Sequence, residues 1–332
     1  MRLGLIGLGH IARTHLAAAA ALSSVQIVAA TRSRSAAATL AEYPHLRLFD
    51  AADALLDDPD LDGVIVCVPT FAHQEVVTAA ARAGKHILCE KPIALDEAGA
   101  EHIVDAARKA GVTLMIGQVL RFWPEYVRLR ELVQQGTIGD VRAVSAWRLA
   151  EYPPWSDWFR DPRKSGGCLL DLHIHDIDFL YSLCGLPKSV YARGIQSGSG
   201  SWDHVNSSLD FDQSTASVEG TYLMPPGWPF RMGLRVVGSM GALEFNWSVA
   251  GNVGERTAAL RGLTHYPHDG APTAVLVENK DAYAEQLQYF AGQVESGLEP
   301  DRCPPLEAIV VMRIMAACRA SIESGRPIEL AR

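Results

Sequence analysis

The sequence lacks the features that mark several classes of protein. Its six cysteines are scattered and include no C-x-x-C pair, so neither a zinc site nor a disulfide framework is indicated, and a reducing compartment is expected. No apolar run approaches the roughly 18 residues of a membrane span, and the N-terminus does not resemble a secretory signal. We therefore expect a cytoplasmic protein with no membrane partner. The net charge is −8 without a long basic block, which argues against nucleic acid as a partner.

The composition that remains is that of an ordinary globular protein with a small-molecule partner. Hydrophobic residues make up 48% of the chain and charged residues 20%. The 332 residues are about twice a common domain length, so two domains are predicted. The pattern contains no internal repeat, and it changes character shortly after Gly117. We predict one domain over residues 1–120 and a second over residues 121–332.

The first domain alternates between short apolar runs and stretches of helical length. The apolar runs lie at residues 3–6, 25–30, 64–68, 86–89 and 112–116. Apolar strands separated by helices predict a parallel sheet that is covered on both faces. Right-handed crossovers make such a sheet doubly wound, so we predict an α/β domain.

The second domain has a different period. Residues 188–247 mostly alternate between apolar and polar side chains, which predicts an antiparallel sheet. A helix is predicted over residues 168–184, ending at Gly185, and the C-terminal segments are again helical. These elements predict an α+β domain.

A glycine-rich turn follows the first predicted strand. Gly7, Gly9 and Ala12 form the pattern G-x-G-x-x-A directly before a helix that begins near His10 and Ile11. Gly7 permits a tight turn, and Gly9 lets a pyrophosphate approach the backbone at the helix N-terminus. The alternative is a plain strand–helix turn, but the position of the pattern favours dinucleotide binding.

The end of the second strand predicts which dinucleotide is preferred. An NAD site usually has an acidic residue here to hold the ribose hydroxyls, whereas this chain has Thr31, Arg32 and Ser33. A guanidinium and two hydroxyls suit a 2′-phosphate, so NADP(H) is favoured over NAD(H). The alternative is a solvated basic loop.

A charged pair before a proline follows the fifth strand. Glu90, Lys91 and Pro92 stand at the carboxyl edge of the predicted sheet, where doubly wound domains bind their ligands. Most such pairs are solvated surface residues, but this position favours a functional lysine. Glu90 is expected to support the turn by pairing with a nearby cation.

The helix over residues 168–184 carries a stripe of polar residues. Asp171, His175 and Asp178 are spaced i, i+4, i+7 and would share one helix face, whereas His173 points largely the other way. The alternative is a capping aspartate with a structural histidine. Because His173 and His175 lie on different faces, no metal site is predicted.

Together these motifs resemble the glucose–fructose oxidoreductase / inositol dehydrogenase / MocA family over nearly the whole chain. The resemblance rests on the G-x-G-x-x-A start, "VIVCVPTFAHQEVV", E-K-P at 90–92, "GQVLRFWPEY" and the G-G…D-x-x-x-H helix. It implies a Rossmann domain and a C-terminal domain with a large, mostly antiparallel sheet. In the family that sheet commonly packs into homodimers or homotetramers.

The resemblance implies roles for individual residues. Lys91, Asp171 and His175 match the family's catalytic residues, and His173 stands where the family often has glycine. The cofactor-binding candidates are Gly7, Gly9, His10, Ile11, Thr31, Arg32, Ser33, Pro69, His73, Glu90, Lys91 and Gln118. The substrate-binding candidates are Lys91, Arg121, Trp123, Trp155, Asp171, His175 and Asp178, with Trp158 as a weaker one.

The expected reaction is reversible oxidation of a secondary alcohol on a sugar, cyclitol or related polyol. His175 would transfer the proton, Lys91 would stabilise the developing alkoxide, and Asp171 would orient the histidine or bind a hydroxyl. Two alternatives stay open at this point. One is a glycosidase that acts by transient oxidation, and the other is a non-catalytic dinucleotide sensor.

Overall fold

The computed structural model describes residues 1–32, 36–153, 157–196, 200–249 and 258–331. The chain divides into two compact units. The first unit comprises Met1–Phe122 and Lys280–Ile309, and the second comprises Trp123–Asn279 and Val310–Arg332. No helix in the described part of the chain is both long and apolar enough to cross a membrane.

The secondary structure follows the predicted order of elements. The strands are β1 (Arg2–Ile6), β2 (Gln26–Thr31), β3 (Arg47–Phe49), β4 (Gly63–Val66), β5 (His86–Cys89), β6 (Leu114–Ile116), β7 (Val141–Glu151), β8 (Ser189–Gln196), β9 (Trp202–Asp210), β10 (Thr215–Met224), β11 (Phe230–Gly238), β12 (Gly241–Val249), β13 (Ala258–Pro267), β14 (Thr273–Ala274) and β15 (Ile328–Glu329). The α-helices are α1 (His10–Ala20), α2 (Ala36–Glu42), α3 (Ala52–Leu56), α4 (His73–Arg82), α5 (Glu97–Ala110), α6 (Pro124–Gln134), α7 (Pro162–Ser165), α8 (Ile174–Cys184), α9 (Ala282–Ser296) and α10 (Pro305–Ser324).

The first unit contains a six-stranded parallel sheet in the order β3-β2-β1-β4-β5-β6. This is the Rossmann order, and it confirms the predicted doubly wound domain. The central strand β4 has no polar side chain and every residue of it is buried, because both faces of the sheet are covered there. The carboxyl ends of β1, β4 and β5 therefore meet at one edge, where the glycine loop and the E-K-P turn begin.

A segment far along the chain completes the core of the first unit. Helix α9 packs against α1, and Leu287 and Phe290 join a buried cluster that includes Leu3, Leu16 and Ile65. The predicted boundary at residue 120 places this segment in the other domain. The apolar face of α1 must pack against another helix. The periodicity of α1 does not indicate which later helix that is.

The second unit contains a nine-stranded sheet in the order β14-β13-β12-β11-β7-β10-β9-β8-β15. The pairing of β7 with β10 is parallel and the other pairs are antiparallel, so the expectation of a large, mostly antiparallel sheet is confirmed. The alternation in the sequence is visible in β9, where Asp203, Val205, Ser207 and Leu209 are buried and their neighbours are more exposed.

The helix predicted over residues 168–184 is not a single α-helix. Its first residues, Leu169–His173, form a π-helical turn, and α8 continues from Ile174 to its end at Gly185. Two glycines precede it in the left-handed region, Gly166 at φ 72° and Gly167 at φ 67°. A Cβ on Gly167 would lie 2.9 Å from the carbonyl oxygen of Trp202, so the chain needs glycine to enter the helix against β9.

Candidate active site

The glycine loop has the geometry that an anion site requires. Gly7 has φ 96°, and a Cβ there would lie 2.8 Å from the carbonyl carbon and oxygen of Cys67. Only glycine therefore fits this turn. A Cβ on Gly9 would meet nothing within 4 Å, so this position is open. Gly9 is also the N-cap of α1, which has neither a side-chain cap nor an acidic residue in its first turn. Such a helix N-terminus suits a pyrophosphate, and the loop fits a dinucleotide.

The other candidates around this loop have mixed positions. His10 is exposed and Ile11 is half-buried in the first turn of α1. Thr31 is buried, and its Oγ1 accepts a hydrogen bond of 2.9 Å from the Gly7 N–H. The hydroxyl of Thr31 therefore braces the glycine loop, a role that sequence reasoning did not assign to it.

The basic residue that follows β2 forms an ion pair with an acidic side chain. Arg32 is exposed, and its Nε lies 2.7 Å from Oδ1 of Asp50, which is also exposed. Asp50 follows β3 and was not among the predicted site residues. An ion pair between exposed side chains contributes little to stability, so Arg32 remains available to an anion. Ser33 lies outside the described residues.

The E-K-P turn is built around a buried carboxylate. Glu90 is 6% exposed, and its Oε1 lies 2.6 Å from Nε2 of the buried His15 on α1. Its Oε2 accepts a hydrogen bond of 3.3 Å from the backbone N–H of Lys91. Lys91 is half-buried, and the Lys91–Pro92 peptide bond is cis. His15 was missed, although it stands beside Leu16 on the inward face of α1, three residues after Ala12.

His73 holds two loops at the same edge of the sheet. It is 1% exposed, with Nδ1 lying 2.8 Å from the carbonyl oxygen of Pro92 and Nε2 lying 2.9 Å from that of Val68. Burial lowers the pKa of His73, against the opposing effect of the Val68 and Pro92 carbonyl oxygens, which raise it. Any contribution of His73 to cofactor binding is therefore made through these loops. Nearby candidates differ in exposure, since Pro69 is half-buried and Gln118 is 4% exposed.

The second unit carries the candidate acid–base residues. Asp171 lies in the π-helical turn and His175 in the first turn of α8, and both are half-buried. The hydroxyl of Tyr222, on β10, donates a hydrogen bond to Oδ2 of Asp171. Burial and the charge of Asp171 raise the pKa of Tyr222 well above its usual value, so the tyrosine keeps its proton. Tyr152 packs against Tyr222 with ring centroids 5.2 Å apart.

Two other polar residues of this helix are buried and hydrogen-bonded within the protein. His173 is 0% exposed, its Nε2 lies 2.8 Å from Oγ of Ser207, and burial lowers its pKa to about 3. Asp176 is 1% exposed and receives two hydrogen bonds, of 3.1 and 3.2 Å, from the guanidinium of Arg148 on β7. Burial raises the pKa of Asp176 against the effect of Arg148. These contacts anchor the helix, and sequence reasoning missed the ion pair.

The substrate-binding candidates differ in their burial and in their contacts. Asp178 is 1% exposed, and Trp123 packs against Trp247 with ring centroids 5.2 Å apart. Arg121 is 3% exposed and pairs with Glu307, so its guanidinium is committed to holding the C-terminal segment of the first unit. A role of Arg121 towards substrate hydroxyls stays a prediction, and its distant carboxylate partner was not visible in the short sequence pattern.

The structure adds little to the remaining predictions, which concern aromatic residues and metals. Trp158 is half-buried, and Trp155 lies outside the described residues. Among the residues that the structure describes, no group of three histidine, cysteine or acidic side chains is arranged to hold a metal ion.

Comparison with known proteins gives consistent matches over both units. The description "Oxidoreductase family, NAD-binding Rossmann fold" matches residues 1–118, and "GFO/IDH/MocA C-terminal domain" matches residues 126–244. The chain is similar to the myo-inositol 2-dehydrogenase of Thermotoga maritima, with 29% identity over 99% of this chain and 98% of the relative. It is 33% identical to the D-xylose 1-dehydrogenase (NADP(+)) 2 of Haloferax volcanii over 85% of this chain and 84% of the relative.

A solved structure is similar over the full length. The aldose-aldose oxidoreductase from Caulobacter crescentus, complexed with glycerol, superposes with a TM-score of 0.87 at 25% sequence identity. The match covers 99% of this chain and 99% of that one.

Proposed function

Because this chain belongs to the Gfo/Idh/MocA oxidoreductase family, we propose that it is an NAD(P)-dependent dehydrogenase of sugars, cyclitols or related polyols. The observation that carries the proposal is the contrast within one helix. His173 and Asp176 are buried and hydrogen-bonded to other side chains, whereas Asp171 and His175 are partly exposed. A half-open acid–histidine pair in an oxidoreductase fold favours proton transfer to and from a substrate.

The dinucleotide would be held by the glycine loop and the first turn of α1. Gly7 and Gly9 would let its pyrophosphate approach the backbone, and the N–H groups at the start of α1 would face the phosphates. When bound, the nicotinamide supplies the hydride acceptor or donor. The protein's own residues must therefore orient the substrate and handle the hydroxyl proton.

Proton transfer falls to His175 in this proposal. During oxidation the substrate carbon loses a hydride, the hydroxyl loses its proton to a neutral His175, and the carbon–oxygen bond becomes a carbonyl. Lys91 donates a hydrogen bond to the substrate oxygen and stabilises its developing negative charge. Asp171, fixed by the Tyr222 hydroxyl, binds a neighbouring hydroxyl or orients the histidine. In reduction each transfer runs in reverse.

The cofactor preference is a finer part of the proposal. We expect NADP(H) to bind more tightly than NAD(H), because Arg32 stands exposed at the end of β2 where an NAD site usually has an acid. Asp50 opposes this preference, since its carboxylate pairs with Arg32 and would repel a 2′-phosphate. A fluorescence titration of NADH and NADPH decides the point, and tighter binding of NADH would contradict the expectation.

A homodimer or homotetramer through the nine-stranded sheet is also proposed. Several large apolar side chains on strands of this sheet are exposed, among them Leu223, Leu260 and Tyr266, and an interface would cover them. Light scattering of the purified protein would give the mass, and a monomer would contradict this part. A cytoplasmic location remains a prediction.

The reaction is tested with a panel of polyols, aldoses and glycosides, each offered with NAD⁺ and NADP⁺. The proposal predicts that absorbance of the reduced nicotinamide grows in proportion to a carbonyl product. Release of sugar from a glycoside without net cofactor reduction would instead favour a glycosidase that acts by transient oxidation. Tight dinucleotide binding with no turnover of any member would favour a sensor.

A further inference from the structure

Glu90 is a carboxylate that the fold keeps out of water. It follows β5 directly and is 6% exposed. Removing a carboxylate from water costs several kcal/mol unless hydrogen bonds replace the lost solvation. One oxygen faces His15 Nε2 at 2.6 Å, and the other faces the backbone nitrogen of Lys91 at 3.3 Å. The same carboxylate thus joins helix α1 to the backbone of the residue proposed to stabilise the alkoxide.

The contacts of His15 determine which proton it carries. The ring is 0% exposed and stands edge-on to Tyr283 of α9, with centroids 5.4 Å apart. Its Nδ1 has no hydrogen-bond partner among the described residues. An imidazolium would leave a buried N–H at Nδ1 without an acceptor. The ring with its proton on Nε2 leaves no such donor, and it gives Glu90 one charge-assisted hydrogen bond.

A glycine packs against the other side of the Glu90 carboxylate. A Cβ on Gly117 would lie 3.0 Å from Oε2 and 3.1 Å from Cδ of Glu90. The Gly117 N–H donates to the carbonyl oxygen of Cys89 at 2.7 Å, which keeps this residue close to the end of β5. The carboxylate is therefore confined between α1, the chain after β6 and its own backbone.

We propose that His15 is a positioning residue, which acts through Glu90 to hold the Lys91 backbone and so the direction in which the Lys91 side chain leaves the sheet. The inference rests on the proposed function, because it assumes that Lys91 acts in the reaction. The competing reading is that the pair only stabilises the fold. The two readings differ in what a lost hydrogen bond does to turnover at constant cofactor affinity.

Two variants of His15 separate the hydrogen bond from the volume of the ring. His15→Phe keeps a ring but removes the donor, and His15→Gln keeps an N–H donor. We expect His15→Phe to lower kcat about 10- to 100-fold, by analogy with the loss of outer partners that orient metal ligands. Dinucleotide Kd should stay within about threefold of wild type, and His15→Gln should recover kcat to within about threefold.

Lys85→Met is the matched control. Lys85 is also a buried polar residue of the first unit, and its Nζ donates to the carbonyl oxygens of Asp58 and Leu61 at 2.7 and 2.9 Å. Its loss should lower the melting temperature without lowering kcat. The inference is overturned if His15→Phe keeps wild-type kcat, or if His15→Gln fails as badly as His15→Phe.

Hydrogen exchange gives a readout that needs no turnover. Mass spectrometry of a peptide spanning Glu90 and Lys91 should show faster amide exchange in His15→Phe than in wild type or Lys85→Met. Unchanged exchange overturns the inference whatever the kinetics show. If the wild type turns over no polyol, the proposed function fails, and the exchange data still decide whether His15 holds Lys91.

Discussion

The two candidate regions differ in what holds them in place. In the first unit, glycines mark the close approaches: Gly7 lies against the backbone of Cys67, and Gly117 lies against the side chain of Glu90. In the second unit, side chains from the sheet hold the helix: Arg148, Ser207 and Tyr222 contact residues that lie 28, 34 and 51 positions away. Close backbone approach leaves a glycine in the sequence, whereas distant side-chain partners leave no local signal.

Loss of the proposed catalytic groups should have the largest effect, and it should be similar in both regions. Lys91→Ala and His175→Ala are each expected to lower kcat by at least about a hundredfold, the low end for a lost acid–base group. Dinucleotide Kd should be retained in both variants. Steady-state kinetics with the best substrate of the panel and a fluorescence titration measure the two quantities, and near wild-type turnover in either variant would remove its role.

Gly7→Ala should break the backbone-built region. The new Cβ would lie 2.8 Å from the Cys67 carbonyl, and φ 96° is unfavourable for alanine. Such strain costs about 1–3 kcal/mol, so dinucleotide affinity should fall by tenfold or more. Gly9→Ala is the control for stability alone, because its Cβ would meet no protein atom within 4 Å but would face the pyrophosphate. Equal unfolding free energies for wild type and Gly7→Ala would contradict the steric account.

Tyr222→Phe probes the region built from side chains. The variant keeps the ring that packs against Tyr152 and loses only the hydrogen bond to Asp171. A hydrogen bond to a charged group contributes about 1.5–3 kcal/mol, so a loss of kcat/KM of about tenfold or more is expected. Tyr126→Phe provides a control, since Tyr126 is a fully buried tyrosine of the same unit. Equal kinetics for Tyr222→Phe and wild type would show that Asp171 needs no such support.

His173 should affect stability rather than turnover. Its pKa is about 3 in the folded protein, against 6.5 for an ordinary histidine, so between these values only the unfolded chain binds the proton. The neutral histidine therefore contributes stability that is fully present above pH 6.5 and is lost as the pH falls towards 3. The slope is at most about 1.4 kcal/mol per pH unit. Urea unfolding above and below pH 6.5 should show a shallower decline for His173→Gln.

The fold was largely predictable because periodicity reports burial. Apolar runs identified the parallel strands of the first unit, and alternation identified the antiparallel sheet of the second. The return of α9 to the first unit was not predictable, since any apolar helix face fits another in outline. The π-helical turn at Leu169–His173 was also missed, because side-chain periodicity does not record how the first turn of a helix is wound.

The candidate site was predictable where its chemistry is local. The glycine loop occupies the predicted position, whereas the partner of Glu90 is His15, which the sequence did not single out. The contacts of Arg121 were not predictable, because the sequence around an arginine near a sheet edge does not indicate an ion pair with the distant Glu307. The roles of Lys91, Asp171 and His175 remain predictions that rest on the family and on their chemistry.

The fate of the hydrogen on the substrate carbon tests the proposed dehydrogenase most directly. A substrate from the panel would carry deuterium at the reacting carbon, and mass spectrometry would follow the label after turnover with the oxidised dinucleotide. The account predicts one deuterium in the reduced nicotinamide for each carbonyl product formed. Deuterium that returns to the organic product, with no net reduced cofactor, would contradict it and indicate transient oxidation instead.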